Sequence, residues 1–430
     1  MGRSARRSIS GGARVRLERQ SNLADLVSNA VNGAQVVDLH THLFAPQLTG
    51  MNLAGIDELL TYHYLIAEVL RFESVTPEWL LSQPKSVQAD LVWQSLFVDR
   101  TPLSEAASGV ITVLSAFGLD PQSKNLREAR AFFSARDPVS HLDEVLRIAG
   151  VDHVTMTNDP LDPLERKSWD EKPEIDSRFL SALRIDPILN DWPSSFKSLR
   201  SNGYDVSVDL DDQDVAEVRR FLDDWIGKMR PRYLAVSLPD SFSYPEDSQR
   251  NCLIRSAVMP TCREHALPFA MMIGVRRQVN RRLAGAGDGV GLADLTAIER
   301  LADDHPDNRF LVTTLARENL HGLCVVARKF ANVLPFGCWW FMNNPSLVED
   351  TTLMRLEMLG RSFVPQHSDA RILEQLIYKW SHARRSIARA LTTRYEALED
   401  SGRVITKDDV KRDVTALMSG VASEWLGLTC

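Results

Sequence analysis

Short apolar runs recur along this chain at residues 36–39, 153–157, 179–183, 233–237, 268–273, 310–315, 332–336 and 363–366. Each is bounded by polar or turn residues, as strands buried on both faces require. Between several of them the apolar residues fall at helical spacing, as in 214–229 and 290–304. Eight strands in strand–helix alternation is the count of a closed parallel barrel, so the pattern predicts an α/β fold of the (β/α)8 TIM type. The connection from the second run to the third carries Pro160, Pro163 and Pro173 and reads as a poor helix. Two stretches exceed a bare barrel. About 110 residues separate the first run from the second, with helical patterns over 53–72 and 77–93. After the eighth run, 372–398 and 407–425 read as long helices. The predicted organisation is a basic, disordered tail over 1–30 and one barrel domain over 31–430. That domain contains a helical insertion at 43–150, placed to roof the mouth after strand one, and C-terminal helices at 372–430.

Composition narrows the class. At 430 residues, 44% hydrophobic and 25% charged, the chain is ordinary globular protein. Cys252, Cys262, Cys324, Cys338 and Cys430 are odd in number, scattered, and include no CxxC pair. This argues for a reducing compartment and against a disulfide framework. The net charge of −7 gives no overall attraction to nucleic acid or to an anionic membrane. The first nineteen residues hold six arginines and no acid before Glu18, but no apolar anchor follows them, so the plainer reading is a solvated tail. No run of eighteen apolar residues and no signal-peptide core is visible, and a cytoplasmic protein is expected.

The sharpest chemical signal is Asp38-Leu39-His40-Thr41-His42, directly after the first apolar run. Alternate residues at a strand end point the same way, so His40 and His42 can converge on one ion. More than three hundred residues later, His367-Ser368-Asp369-Ala370-Arg371 follows the eighth run. The first and eighth strands of a closed barrel are neighbours, which brings the Asp369 carboxylate within reach of the same ion or makes it a proton carrier. The alternative for Asp369 is a cap on the helix beginning near Ile372.

This pairing resembles the amidohydrolase superfamily, and the finer text resembles the uronate isomerases, which interconvert aldose and ketose sugar acids. The stretch from Asp38 to Pro46 is similar to that family's opening, and His63-Tyr64 to its His-Tyr pair. Thr157 to Asp162 resembles its second-strand loop, and Arg184-Ile185-Asp186 its Arg-Pro-Asp. Phe336 to Phe341, with Trp339-Trp340, resembles its Gly-x-x-Trp-Trp-Phe, and Ser368 to Arg371 its Ser-Asp-Ser-Arg. These pieces run in order from about Val36 to Leu426. The resemblance implies a divalent ion, zinc or manganese, on His40, His42 and Asp369, and no organic cofactor. It implies His63, Tyr64, Asp369 and Arg371 as catalytic groups, with Arg184, Trp339 and Arg371 contacting the substrate. The expected partner is a small sugar acid of the glucuronate or galacturonate type, and a homo-oligomer is left open.

Two departures stand against that family. Met272 occupies the place of a fifth-strand histidine that faces the metal, and Leu238 that of a fourth-strand aspartate, with Asp240 a candidate substitute beyond Pro239. A thioether is a poor ligand for a hard divalent ion. The expectation is an isomerase with a three-ligand metal or an altered proton-handling shell. Another hydrolase or lyase of the superfamily, or a catalytically silent sugar-acid binder, remains open beside it.

Overall fold

The computed structural model describes residues 22–48 and 50–428. Its centre is a curled sheet built from β1 (Val36–Thr41), β2 (Val151–Asn158), β3 (Phe179–Arg184), β4 (Leu234–Pro239), β5 (Phe269–Arg276), β6 (Gly289–Val290), β7 (Phe310–Thr314) and β8 (Val333–Pro335). The path runs β1-β2-β3-β4-β5-β7-β8, every neighbour parallel, with the two-residue β6 antiparallel against β5. Side chains alternate between two cores, as the pleat dictates. Val36, Val154, Leu183, Val236, Met271 and Val312 face the surrounding helices. Val37, Leu39, Ala182, Ala235, Met272 and Leu334 form a second, inner cluster, which Ala422 and Leu426 near the C-terminus join.

Seven of the eight expected strands form where the apolar pattern placed them. The eighth, 363–366, does not become a ladder: it makes a single bridge, between Val364 and Phe336. Pro365 supplies no N–H, which breaks regular pairing. The segment is nonetheless tied on both sides. The Gly337 N–H donates to the Val364 carbonyl (2.8 Å) and the Val364 N–H to the Pro335 carbonyl (3.0 Å). On the other flank, the Asp369 N–H donates to the His40 carbonyl (3.1 Å) and the His42 N–H to the Ala370 carbonyl (2.7 Å).

Three further expectations change. The stretch between the second and third strands, read as a poor helix, holds the helix Pro163–Asp170. Proline is harmless at its first position, and Asp162 caps it by accepting from Leu164 and Glu165 N–H groups. The apolar span 53–72 is two short helices, Ile56–Leu60 and His63–Val69, broken at Thr61-Tyr62. The tail expected to be disordered through residue 30 is helical from 22 to 33, because Leu23, Val27 and Val31 fall on one face and are buried. The arginine-rich residues 1–21 lie outside the described residues. No helix among those described is long and apolar enough to cross a membrane.

The long helix Gln375–Asp400 organises this periphery. Its buried Arg384 donates to the carbonyls of Val31 and Asn32 at the end of helix 22–33, and to those of Ala149 (3.3 Å) and Gly150 (3.0 Å) at the end of helix Pro138–Ala149. One guanidinium thus serves two helix C-termini whose last carbonyls lack helical partners. Replacing Arg384 with leucine strands those carbonyls, and the expected loss is about 2–4 kcal/mol. Urea unfolding of the Arg384→Leu protein measures it, and a midpoint equal to wild type would refute this role.

Candidate active site

Asp38 begins the site from beneath. Wholly buried in β1, its carboxylate accepts the Ser368 N–H at 3.0 Å and the Trp380 indole N–H at 2.8 Å. Burial pushes its carboxyl up to about 6, opposed by those same donors. Three distant pieces of chain, β1, the 363–370 segment and helix Gln375–Asp400, are joined at this one group. The join sets Ser368 beside β1, and the next residue, Asp369, turns through a left-handed backbone conformation (φ 54°) toward His40 and His42. Asp369 caps no helix. The following helix begins at Gln375, and its cap position is Glu374. Gly337, also at positive φ, passes so close to His367 that a Cβ there would collide with the imidazole Nδ1.

The register of β1 against β2 shifts between Asp38 and Thr41, and a bulge of this kind re-aims a side chain. His40 is turned so that its Nδ1 lies 3.4 Å from the Tyr233 hydroxyl and 3.4 Å from that of Thr157. Both hydroxyl protons are committed elsewhere, Tyr233 donating to the Leu39 carbonyl (2.8 Å) and Thr157 to the Thr41 carbonyl (2.7 Å). The two oxygens therefore accept, the proton of His40 sits on Nδ1, and Nε2 carries a bare lone pair. That Nε2 lies 3.6 Å from Asp369 Oδ1, with His42 Nε2 3.4 Å from the same oxygen. His40 Nε2 and Asp369 Oδ1 are buried with no hydrogen-bond partner.

Burial by itself raises the Asp369 carboxyl, but His42, His40 and His367 outweigh it and hold the group down at about 2. Burial, with the neighbouring His42 and His367, keeps His40 well below the usual imidazole range, hence neutral. A carboxylate oxygen and an imidazole lone pair facing each other repel unless a cation lies between them. One ligand atom from each of His40, His42 and Asp369 lies within 4.8 Å of the other two. Two imidazole nitrogens and a carboxylate oxygen are a donor set for zinc or manganese, so these residues fit a divalent ion.

A cavity of about 550 Å³ opens above this cluster, at the C-terminal ends of the strands. His42, His63, Arg184, Trp339, Asp369 and Arg371 all line it, so six of the eight expected site residues face one space. His40 reaches it through Asp369. Tyr64 does not line it; Tyr62 does, its ring stacked on His63 at 4.2 Å. Trp339 and Trp340 both line the cavity. Arg184 pairs with Asp186 at 2.9 Å while lining the wall. Lys85 pairs with Glu58, and Arg277 with Asp288 at 2.6 Å. Arg371 has no acid partner among the described residues.

The fourth- and fifth-strand departures take physical shape here. Leu238 points outward into the helix-facing core, and its neighbour Ser237 is the residue that lines the cavity. Met272 points inward but packs in the apolar cluster, paired in register with Ser237 and Thr313. Asp240 lies outside the cavity lining, 3.6 Å from Arg276. Tyr233 and Trp380 act on the site without any local motif in the sequence, whereas Thr157 opens the 157–162 stretch noted there. His367 is buried with both ring nitrogens unpartnered, its ring 5.3 Å from that of His40.

The fold and the site together define a class: an α/β enzyme with its chemistry at the C-terminal ends of parallel strands. No protein-family model matches the sequence, and no curated protein matches it. Solved structures do. A uronate isomerase from Bacillus halodurans C-125 is 48% identical, with a TM-score of 0.93 over 95% of this chain and 97% of that one. The chain belongs to the uronate isomerase family. A uronate isomerase from Thermotoga maritima (16% identical, TM-score 0.76, covering 94% of this chain and 97% of that one) shares the fold. So does a glucuronate isomerase from Caulobacter crescentus (13% identical, TM-score 0.76, covering 96% and 95%).

Outer partners that fix an imidazole tautomer tune the metal it binds. Tyr233→Phe removes one of the two acceptors facing His40 Nδ1, and zinc affinity of the apo-protein is expected to fall roughly ten- to hundredfold. Calorimetric titration with zinc measures this, and unchanged affinity would refute the tautomer assignment.

Proposed function

We propose that this chain isomerises a hexuronate between its aldose and ketose forms, with a zinc or manganese ion held by His40, His42 and Asp369. The observation that carries the reading is the convergence of the His40, His42 and Asp369 cluster with Arg371, which has no acid partner among the described residues, at one cavity. The relatives named uronate and glucuronate isomerase support the substrate class. We read the 363–370 segment, bonded to β8 on one flank and β1 on the other, as the eighth stave of a (β/α)8 barrel. On the same reading the helices between β1 and β2 are an insertion that roofs its mouth. The free thiols of Cys252, Cys262, Cys324 and Cys338 fit a reducing, cytoplasmic setting.

Aldose–ketose exchange moves the C2 proton to C1 and the O2 proton to O1 through an enediol. When bound, the ion supplies electrophilic polarisation of the reacting oxygens. The rest is the work of side chains. Burial holds His63 down at about 4, so near neutral pH its imidazole is uncharged and able to accept a proton. The Tyr64 ring packs edge-on against His63 at 4.3 Å, and burial keeps its phenol protonated. We assign it as the relay behind His63, outside the cavity itself. Arg371 stands beside Asp369 to meet negative charge developing on the enediol oxygens. Arg184, its guanidinium steadied by Asp186, takes the substrate carboxylate. Trp339 supplies an apolar wall for the C–H face of the sugar. A hydrolase is less well supported, because no further histidine, cysteine or acid joins the three-residue cluster among the described residues.

The test is conversion of glucuronate to its ketose by the zinc- or manganese-loaded protein, followed by polarimetry. Arg184→Ala is expected to lower kcat/KM about ten- to hundredfold, mainly through KM, the scale of one charge-assisted pair. Equal turnover of glucose and glucuronate by the wild type would overturn the reading.

A further inference from the structure

Outside the catalytic cavity lies a buried ion pair that the chemistry described above does not use. Lys379, on the long helix Gln375–Asp400, is 4% exposed, and its Nζ lies 3.1 and 3.3 Å from the two carboxylate oxygens of Glu105. Glu105 sits in the first turn of the helix Glu105–Ala116, where the positive end of a helix favours a carboxylate. Burial by itself raises the Glu105 carboxyl, but Lys379 and His382 outweigh it and keep it ionised. Lysine is almost never buried without a partner, and a buried ion pair adds little stability over apolar residues of the same size. Stability alone does not explain a charge pair at this position.

The ammonium is held against two aromatic faces. Its Nζ lies 5.4 Å from the centre of the Tyr64 ring and 5.1 Å from that of Tyr378. Tyr378 packs closely on the helix Glu105–Ala116 because residue 109 is glycine: a Cβ there would sit 2.6 Å from the Tyr378 ring. The Tyr64 ring is in turn edge-on to His63 at 4.3 Å and to Tyr62 at 5.1 Å, while Tyr62 stacks on His63 at 4.2 Å. These three consecutive rings form one closed cluster. The Tyr64 hydroxyl has no hydrogen bond to any described residue, so the charged contact that orients its ring is Lys379.

We propose that Lys379, fixed by Glu105, is a positioning residue for the His63–Tyr64 pair. Its charge seats the Tyr64 ring against His63 and favours the negative charge that grows on the phenolic oxygen as its proton moves. This rests on the isomerase reading and deepens it. The reaction is unchanged: the C2 proton moves to C1, the O2 proton moves to O1, and Tyr64 recovers its own proton within each turnover.

Two variants of the zinc-loaded protein test it, with glucuronate as substrate. Lys379→Met removes the charge at similar length, and Lys379→Met/Glu105→Gln removes both charges, so that no buried carboxylate is left alone. Both are expected to lower kcat about tenfold or more, a part of what acid–base groups contribute, with KM and zinc affinity within about twofold of wild type. If the single variant does not fold, the double variant decides. A folded double variant with wild-type kcat would overturn the inference and leave the isomerase reading intact. So would kcat, KM and zinc affinity deteriorating together, the sign of a pair that only supports the architecture. Absence of turnover by the wild type would remove the isomerase reading and this inference with it.

Discussion

The structure turns on a buried carboxylate that binds no substrate. Asp38 accepts one N–H from the segment carrying Asp369 and another from the indole of Trp380, fixing that segment between β1 and the long C-terminal helix. Burying an ionised carboxylate is costly unless donors surround it, and beside the nearby His40 backbone its donors come from Ser368 and Trp380, more than three hundred residues away. The arrangement cannot form until β1, the 363–370 segment and helix Gln375–Asp400 have all docked. His40, His42 and Asp369, far apart in the sequence, are thereby brought together by a group that stands outside their cluster.

Around that cross-tie the structure keeps its polar groups in matched sets. Arg355, fully buried, donates to the carbonyls of Gly337 (2.9 Å) and Val364 (3.2 Å), pinning the strand-less eighth segment to the end of β8. Gln366 donates to Asn343 (2.6 Å) and accepts from the Cys338 N–H (2.9 Å), and Asn343 donates to the Ser368 carbonyl (2.9 Å). Side-chain bonds here replace the ladder that Pro365 denies the backbone. His141 and Glu374 do the same on the other flank. Their buried contact at 2.7 Å, with Glu374 also accepting the Gly55 N–H (2.9 Å), ties the helices between β1 and β2 to the chain just after Arg371. The Nε2 of His40 and Oδ1 of Asp369 are among the buried atoms left without a partner, and they face each other at 3.6 Å with His42 Nε2 3.4 Å from the same oxygen.

Much of this could be read before the fold was known. Seven strands follow from apolar runs, because a strand buried on both faces must be continuously apolar. His40, His42 and Asp369 follow from a two-residue spacing and from the adjacency of first and last strands in a closed sheet. What stayed hidden depends on tertiary contact. Asp38 reads as a strand residue preceding two histidines, and nothing local marks it as an acceptor for Trp380. Tyr233 belongs to an apolar run, where its hydroxyl is invisible to periodicity. The choice between Leu238 and Ser237 as the inward residue depends on strand parity, and a one-position error reverses it. Tyr62 and Tyr64 could not be ranked from sequence, since the break at Thr61-Tyr62 decides which ring faces the cavity. The eighth strand failed for a legible reason: a proline within a four-residue run.

Asp38, by fixing the backbone at Ser368, sets Asp369 against His40 and His42 and so creates the cluster proposed to hold the metal. Zinc titration of apo Asp38→Ala by calorimetry, with far-UV circular dichroism to establish that the protein is folded, measures that claim most directly. The account predicts a folded protein whose zinc affinity falls at least about tenfold, the scale of lost outer-partner control of a ligand. A folded Asp38→Ala protein that binds one zinc with wild-type affinity would contradict it.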